Sequence, residues 1–216
     1  MISLAQRIAA ARQGQTALIS AGQAGFIIKS RSGQLLGIDL YLSDCVERLE
    51  GSIGFKRLLP RILLPCEVEF DCLIATHPHF DHFDFDSVPE LMSGGRTRLF
   101  ASTECEGLVK ELRMTNDGIT YVRPGDTCLR LDRADEYKAF GALDVMIAPI
   151  NGAFGNMNEE DCARLAEALC PKLTVPCHYG MFTTHGGSPG LFMEAMKQHC
   201  PALAYTIMTQ GEVMAI

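Results

Sequence analysis

The 216-residue sequence contains no run of lysines and arginines, which argues against an extended nucleic-acid surface. Its formal charge is −7, although a few local cations would suffice to hold a small anionic substrate. No C-x-x-C pair occurs among the nine cysteines, an odd number, so their spacing gives neither a zinc knuckle nor a disulfide framework. No uninterrupted apolar run approaches membrane-spanning length, and the first residues lack the pattern of a secretory signal. Several cysteines sit inside apolar runs, as in "FDCLIAT" and "EALCPKL". The expectation is therefore of reduced, buried thiols in a cytoplasmic protein with no membrane partner. Internal repeats, linkers and low-complexity stretches are also missing. With 47% hydrophobic and 21% charged residues, the chain reads as one domain over 1–216.

Local patterns give an order of elements. "SLAQRIAAARQGQ" is an amphipathic helix with Ser3 as its N-cap. "TALIS" (16–20), "GFIIKS" (25–30) and "QLLGIDLYL" (34–42) are short apolar runs separated by glycines, the signature of antiparallel strands. Residues 43–66 are irregular. "CLIAT" (72–76) is a short buried strand. "STECEGLVKEL" (102–112) reads as a helix with a capping box between Thr103 and Glu106. "ITYV" and "TCLRL" are strands around the turn at 123–126, and "LDVMIAPI" (143–150) is another. "NEEDCARLAEALC" (158–170) is a helix capped by Asn158 and stopped by Pro171, followed by the strand "KLTVPCH" (172–178). A helix opens at Ser188 and Pro189 and runs to Cys200. "AYTIM" and "EVMAI" read as a final strand pair across Gln210 and Gly211. The succession of meander and then strand–helix alternation implies sheets with helices outside, an α/β class.

Histidine is scarce, at six residues, and three of them fall in "ATHPHFDHFD" (75–84). A strand end fixes the backbone, and the tight turn after it lets several side chains converge. Neutral imidazoles with a carboxylate suit zinc, manganese or iron. His77 and His79 can share one metal; Asp81 and His82, offset along the turn, can point to a neighbouring one. Two such ions can hold a hydroxide between them and polarise a carbonyl or phosphoryl group.

The pattern H-x-H-x-D-H after a buried strand resembles the metallo-β-lactamase superfamily. "GQAGFIIKSRSGQLLGIDLYLSD" (22–44) and "INGAFGNMNEEDCARLAEALCPKLTVPCHYGMF" (150–182) look like its L-ascorbate-6-phosphate lactonase-like branch, so the similarity covers most of residues 16–182. The resemblance implies an αββα sandwich with one or two divalent metals at one edge. It implies that His77 and His79 hold one metal and that Asp81 and His82 hold the second. Asp81 would also lie near the attacking water. His178 would join the second metal, and Asp39 would orient a ligand imidazole. Tyr179, Asn151, Asn156 and His185 are candidates for substrate contact. Their alternatives are packing for the tyrosine, turn stabilisation for the two amides, and plain solvent exposure for His185. His199, near a helix C-terminus, is explained by charge and dipole.

The pattern also departs from the family. A histidine and a bridging aspartate are expected between the 123–126 turn and the strand at 143–150, but "DRADEYKAFGAL" (132–143) holds no histidine. One sheet is expected to be truncated, and Asp135 is the only substitute for the bridging carboxylate. Three outcomes follow: a single metal at Asp81, His82 and His178; ligands borrowed from a partner copy in a homo-oligomer; or an inactive protein. The leading expectation is a hydrolase of a small ester or lactone, such as a sugar-phosphate lactone, in which a metal-bound hydroxide attacks the carbonyl. The alternatives are a non-catalytic binding protein on the same fold and a small-molecule phosphodiesterase.

Overall fold

A computed structural model describes residues 2–115, 117–123 and 131–216. Backbone proximity divides the chain into two units, Met1–Pro124 with Thr209–Ile216, and Gly125–Met208.

The first unit is built on a seven-stranded sheet. β1 (Ala17–Gly22), β2 (Gly25–Lys29) and β3 (Leu35–Ile38) form the expected antiparallel meander, although β3 stops at Ile38 rather than running on to residue 42, because Asp39 turns left-handed there. β4 (Cys72–Ala75), β5 (Arg98–Ser102) and β6 (Ile119–Val122) continue from β3 in parallel. β9 (Val213–Ala215) closes the other side, antiparallel to β1. Helix α1 (Leu4–Ala10) is capped by Ser3, whose hydroxyl accepts from the Gln6 N–H while the Gln6 side chain accepts from the Ser3 N–H. The helix buries Leu4 and Ile8 in a core shared with Ile19, Ile27, Phe70, Leu73, Phe83, Leu99 and Val109.

Lys29 lies at the end of β2 and is 8% exposed. Its ammonium donates to the carbonyls of Ile8, Ala9 and Ala11, at 2.9, 3.1 and 3.1 Å. These are carbonyls at the end of α1, where the helix leaves acceptors unpaired and where positive charge is favoured. Lys29→Met should therefore lower stability by about 2 kcal/mol, the scale of hydrogen bonds to a charged group. A urea-unfolding midpoint unchanged from wild type would refute this.

Three readings of this unit are corrected. The segment after β3 is not wholly irregular, because α2 (Cys45–Glu50) forms there ahead of a 3-10 turn. The Thr103–Glu106 capping box does not form. The chain first winds as a 3-10 turn over Thr103–Cys105, which moves the cap to Ser102, whose hydroxyl accepts from the Glu104 N–H. Glu106 instead pairs with Lys110 on α4 (Glu106–Glu111). The final strand pair is also absent: "EVMAI" supplies β9 on β1, whereas Ala204 and Thr206 bond to Thr174 of the second unit. α3 (Ser87–Met92) completes the unit's helices among the described residues.

In the second unit a short helix, α5 (Ala134–Lys138), precedes β7 (Val145–Pro149). α6 (Glu159–Leu169) connects to β8 (Leu173–Cys177), which pairs with β7 in parallel, and α7 (Pro189–His199) follows. Asn158 caps α6 in a reciprocal box with Asp161, and Ser188 caps α7. The two helices enclose Met146, Ile150, Ala163, Phe192 and Met196. This sheet has two strands among the described residues. The strand expected over 127–131 lies outside the described residues, except that Leu131 begins a 3-10 turn.

Among the described residues no helix is long and apolar enough to cross a membrane. Eight described cysteines are free thiols, but Cys66 and Cys170 are exposed rather than buried. Cys170 ends α6 in a left-handed conformation before Pro171, outside the helix's buried face.

Candidate metal centre

The histidine turn begins where two parallel strands stop side by side. Ile38 of β3 pairs with Ile74 of β4, so the next residues of each strand emerge together at the carboxyl edge of the sheet. Asp39 leaves β3 with φ of 45°, a left-handed conformation that an aspartate tolerates better than most residues. That conformation turns its carboxylate toward the end of β4. Oδ1 accepts from the Thr76 N–H at 2.8 Å; Oδ2 accepts from the Thr76 hydroxyl at 2.7 Å and from His82 Nδ1 at 2.9 Å. A single helical turn follows, in which the His82 and Phe83 N–H groups both donate to the His79 carbonyl. Buried Phe83 anchors it.

These bonds fix where the ring protons reside. A carboxylate only accepts, so His82 presents Nδ1–H to Asp39 and keeps its lone pair on Nε2. The Thr76 hydroxyl gives its proton to Asp39, so its oxygen accepts from His77 Nδ1 at 3.0 Å. Neutral His77 then carries its lone pair on Nε2, which lies 3.1 Å from His79 Nδ1. The rings crowd together, with centroids 4.7 Å apart for His77 and His79 and 3.9 Å apart for His77 and His82. Burial, reinforced by His82 and His79 alongside, pushes His77 down to about 4. Burial also opposes charge on His82, but the hydrogen bond to Asp39 and the charges of Asp81 and Asp39 outweigh it, and its value is raised.

Two further residues shape this turn, and local sequence reading misses both. Gln23 sits in the β1–β2 turn with φ of 56°, and its amide donates to Asp81 Oδ2 at 2.8 Å. The same oxygen is 3.6 Å from His82 Nε2. Asp84 is fully buried and bonds the turn to the segment after β3: it accepts from the N–H groups of Leu42 and Ser43 and from the Ser43 hydroxyl. It also accepts from the N–H groups of Asp86 and Ser87 and from the Ser87 hydroxyl, at the start of α3. Gln23's bond to Asp81 and Asp84's bonds to Leu42 and Ser43 have no local sequence signal, because those partners are distant in the chain.

In the second unit His178 follows β8 with φ of 65° and is 5% exposed. His185 stacks on it, with centroids 4.8 Å apart and planes 23° apart, and touches the Phe154 and Phe182 rings. Tyr179 directs its hydroxyl at the Met208 carbonyl, 3.5 Å away. Asn151 is buried, bridges to Asn158 and donates to the Ala153 carbonyl at 3.4 Å, while the Asn156 N–H also donates to that carbonyl. Asp135 lies on α5 with its side chain 99% exposed, 3.9 Å from Lys138 Nζ, as a solvated acid. His199, at the end of α7, pairs with Glu160 and lies 3.9 Å from Glu167.

No protein-family model matches the chain. Its sequence is 23% identical over 239 aligned residues to a UPF0173 metal-dependent hydrolase of Anaeromyxobacter dehalogenans, covering 87% of this chain and 83% of that one. A UPF0173 metal-dependent hydrolase of Pyrococcus furiosus is 25% identical over 136 residues, 63% of this chain and 56% of its own. Among solved structures, the metallo hydrolase Igni18 from Ignicoccus hospitalis matches with a TM-score of 0.69 over 94% of this chain and 98% of its own, at 15% identity. The metallo-β-lactamase fold protein YhfI from Bacillus subtilis matches with a TM-score of 0.62 over 93% of this chain and 99% of its own, at 13% identity. This chain has the metallo-β-lactamase fold. The two sequence relatives are named for metal dependence and hydrolysis, and neither name specifies a lactone.

The donor set of this metallo-β-lactamase-fold protein fits a divalent ion on chemical grounds. Such an ion needs unprotonated imidazole nitrogens held in one orientation, with the other ring nitrogen bonded to a carboxylate or similar acceptor. His82 has that arrangement through Asp39, and His77 acquires it through Thr76. Near neutral pH His77 carries no proton on Nε2 that a metal would have to displace.

Proposed function

We propose that the protein is a metal-dependent hydrolase of a small ester or lactone. The observation that carries this reading is the convergence of the His77, His79 and His82 rings at the end of β4, with Asp39 setting the His82 tautomer. His77, His79, Asp81 and His82 are proposed as ligands of one or two divalent ions, zinc or manganese before iron. His178 joins them on the strength of the sequence pattern. Asp135, solvated on α5, adds little to the case. Reading 1–216 as a single domain rests on the resemblance, which runs through parts of both units.

When bound, the metal lowers the pKa of a coordinated water and polarises the substrate's carbonyl. The chain's own residues do the rest. Asp39 holds the His82 ring, and Thr76 holds the His77 ring. Gln23 holds one oxygen of Asp81, whose proposed task is to orient the attacking water and take its proton. Tyr179, Asn151 and Asn156 are proposed to contact substrate. The lactone preference comes from the two stretches, 22–44 and 150–182, that resemble the lactonase-like branch.

Metal analysis of the purified protein beside His79→Ala tests the reading, together with a hydrolysis panel of sugar-phosphate lactones, simple esters and small phosphodiesters. The expected result is a divalent metal in the wild type, at least a tenfold loss of affinity in the variant, and turnover of a lactone or ester. Equal metal content in both proteins would sink the proposal. Turnover of phosphodiesters alone would transfer it to the phosphodiesterase alternative, and bound metal without turnover to the binding protein.

A further inference from the structure

The second unit pairs His178 with a second imidazole, His185, that the proposed reaction has not used. His178 stands at the end of β8 in a left-handed backbone, a conformation that strains a non-glycine residue and collects at working sites. Seven residues on, the loop before α7 returns and lays His185 over it. The return is tight: a Cβ at Gly186 would meet the Asn151 carbonyl oxygen at 2.5 Å, and one at Gly187 would meet Tyr179 Cβ at 2.7 Å. Gly187 also has φ of 92°. Only two successive glycines let the backbone pass this close to the end of β7 and to Tyr179. The His185 N–H donates to the Phe182 carbonyl at 3.3 Å, and its ring lies among Phe154, Phe182 and His178. Each of the two imidazoles offers a ring nitrogen within 4.8 Å of the other's.

The other four histidines lie elsewhere. Three belong to the turn after β4, and His199 is held by the carboxylates of Glu160 and Glu167. We propose that His185 is a metal ligand, binding the same divalent ion as His178; this rests on the functional reading above. Two nitrogens on one tetrahedral zinc, with bonds of about 2.0–2.1 Å, stand about 3.3 Å apart. Because each lone pair lies in its own ring plane, sharing an ion requires the half-buried His185 side chain to turn out of the stack as it closes that difference. The stack brings the rings together and the glycine pair keeps the loop there, so the second imidazole is delivered by backbone geometry.

Cobalt(II) titration of the full-length, metal-free protein tests the assignment through a spectrum, independently of turnover. His185→Ala should weaken cobalt affinity by at least about tenfold and alter the visible ligand-field bands, with the metal-free melting temperature near wild type. His185→Cys keeps a donor at the position and should bind cobalt with a new thiolate-to-metal charge-transfer band, which a packing role would not produce. Wild-type affinity and spectrum in His185→Ala, or cobalt uptake by His185→Cys without that band, would overturn the inference. His79→Ala and His178→Ala separate the two claims. If they lose metal while the His185 variants do not, the hydrolase reading stands and this inference falls; if they keep it, the hydrolase reading itself has failed.

Discussion

Asp84→Asn is expected to cost the fold about 4 kcal/mol or more, read as a lowered urea midpoint with the slope unchanged. The side chain is fully buried and its two oxygens accept six hydrogen bonds from Leu42, Ser43, Asp86 and Ser87. Each oxygen takes three: Oδ2 from Leu42 N, Ser43 N and Ser87 Oγ, and Oδ1 from Ser43 Oγ, Asp86 N and Ser87 N. Asparagine has nearly the same shape but only one accepting oxygen. Whichever way the amide is turned, its NH2 faces three donors. The hydroxyls can rotate away, but the backbone N–H groups cannot. At least one buried N–H, and two in one orientation, is left facing another donor, a situation that folded proteins avoid. The substitution also removes the charge that strengthened the surviving bonds. A loss below about 1 kcal/mol would show that Asp84 does not hold the turn in place.

Asp39→Asn is expected to lower divalent-metal affinity by about 10–100-fold while leaving a folded protein. Asparagine shares aspartate's tolerance for the left-handed backbone, so φ of 45° is not the obstacle. The obstacle is the direction of the bonds. All three groups at the Asp39 carboxylate are donors: the Thr76 N–H, the Thr76 hydroxyl and His82 Nδ1. An amide NH2 in the Oδ2 position favours the other His82 tautomer, with the proton on Nε2, the atom that must be bare to bind a metal. The same change releases the Thr76 hydroxyl, and with it the His77 ring.

Titration gives an independent reading of Asp39. In the metal-free wild type, burial opposes charge on His82, but Asp39 and Asp81 raise its value. A raised histidine stabilises the fold below its unfolded pKa, and that contribution fades as pH rises through the folded value. Without the Asp39 charge, His82 should titrate lower by NMR, and the stability deficit of the variant should be larger at about pH 5 than at about pH 8. An unchanged His82 titration would mean that Asp39 does not govern the ring. His77, already pushed down to about 4 by burial and its two histidine neighbours, marks the opposite sign within the same turn.

The parts of the molecule that were legible in the sequence are those written in short spans. The caps at Ser3, Asn158 and Ser188, the meander of β1 to β3 and the strand ending at the histidine turn depend on neighbours a few residues away, and they form as read. β5 was missed because "RLFAS" is five residues with a charge at one end, too short for alternation to distinguish it from a loop; its burial comes from lying between β4 and β6. α2 was hidden by the glycines and prolines around it. At the site, the ligand-type residues announced themselves by spacing, whereas Gln23 and Asp84 did not. Gln23 meets Asp81 because the β1–β2 turn reaches it, and Asp84 meets Leu42 and Ser43 because β3 and β4 end together. The false hairpin at the end has the same cause: "AYTIM" and "EVMAI" are adjacent in sequence, but each finds a better edge elsewhere.

The pairing of Ala17 with Ala215 also bears on biosynthesis. The first unit is made from two pieces of chain, and its last strand is translated after the whole of 125–208. While the ribosome is still making that insertion, the edge of β1 has no partner, and an open edge beside buried apolar strands is a template for the wrong chain. The nascent protein therefore passes through a period in which that edge of its own sheet is uncovered.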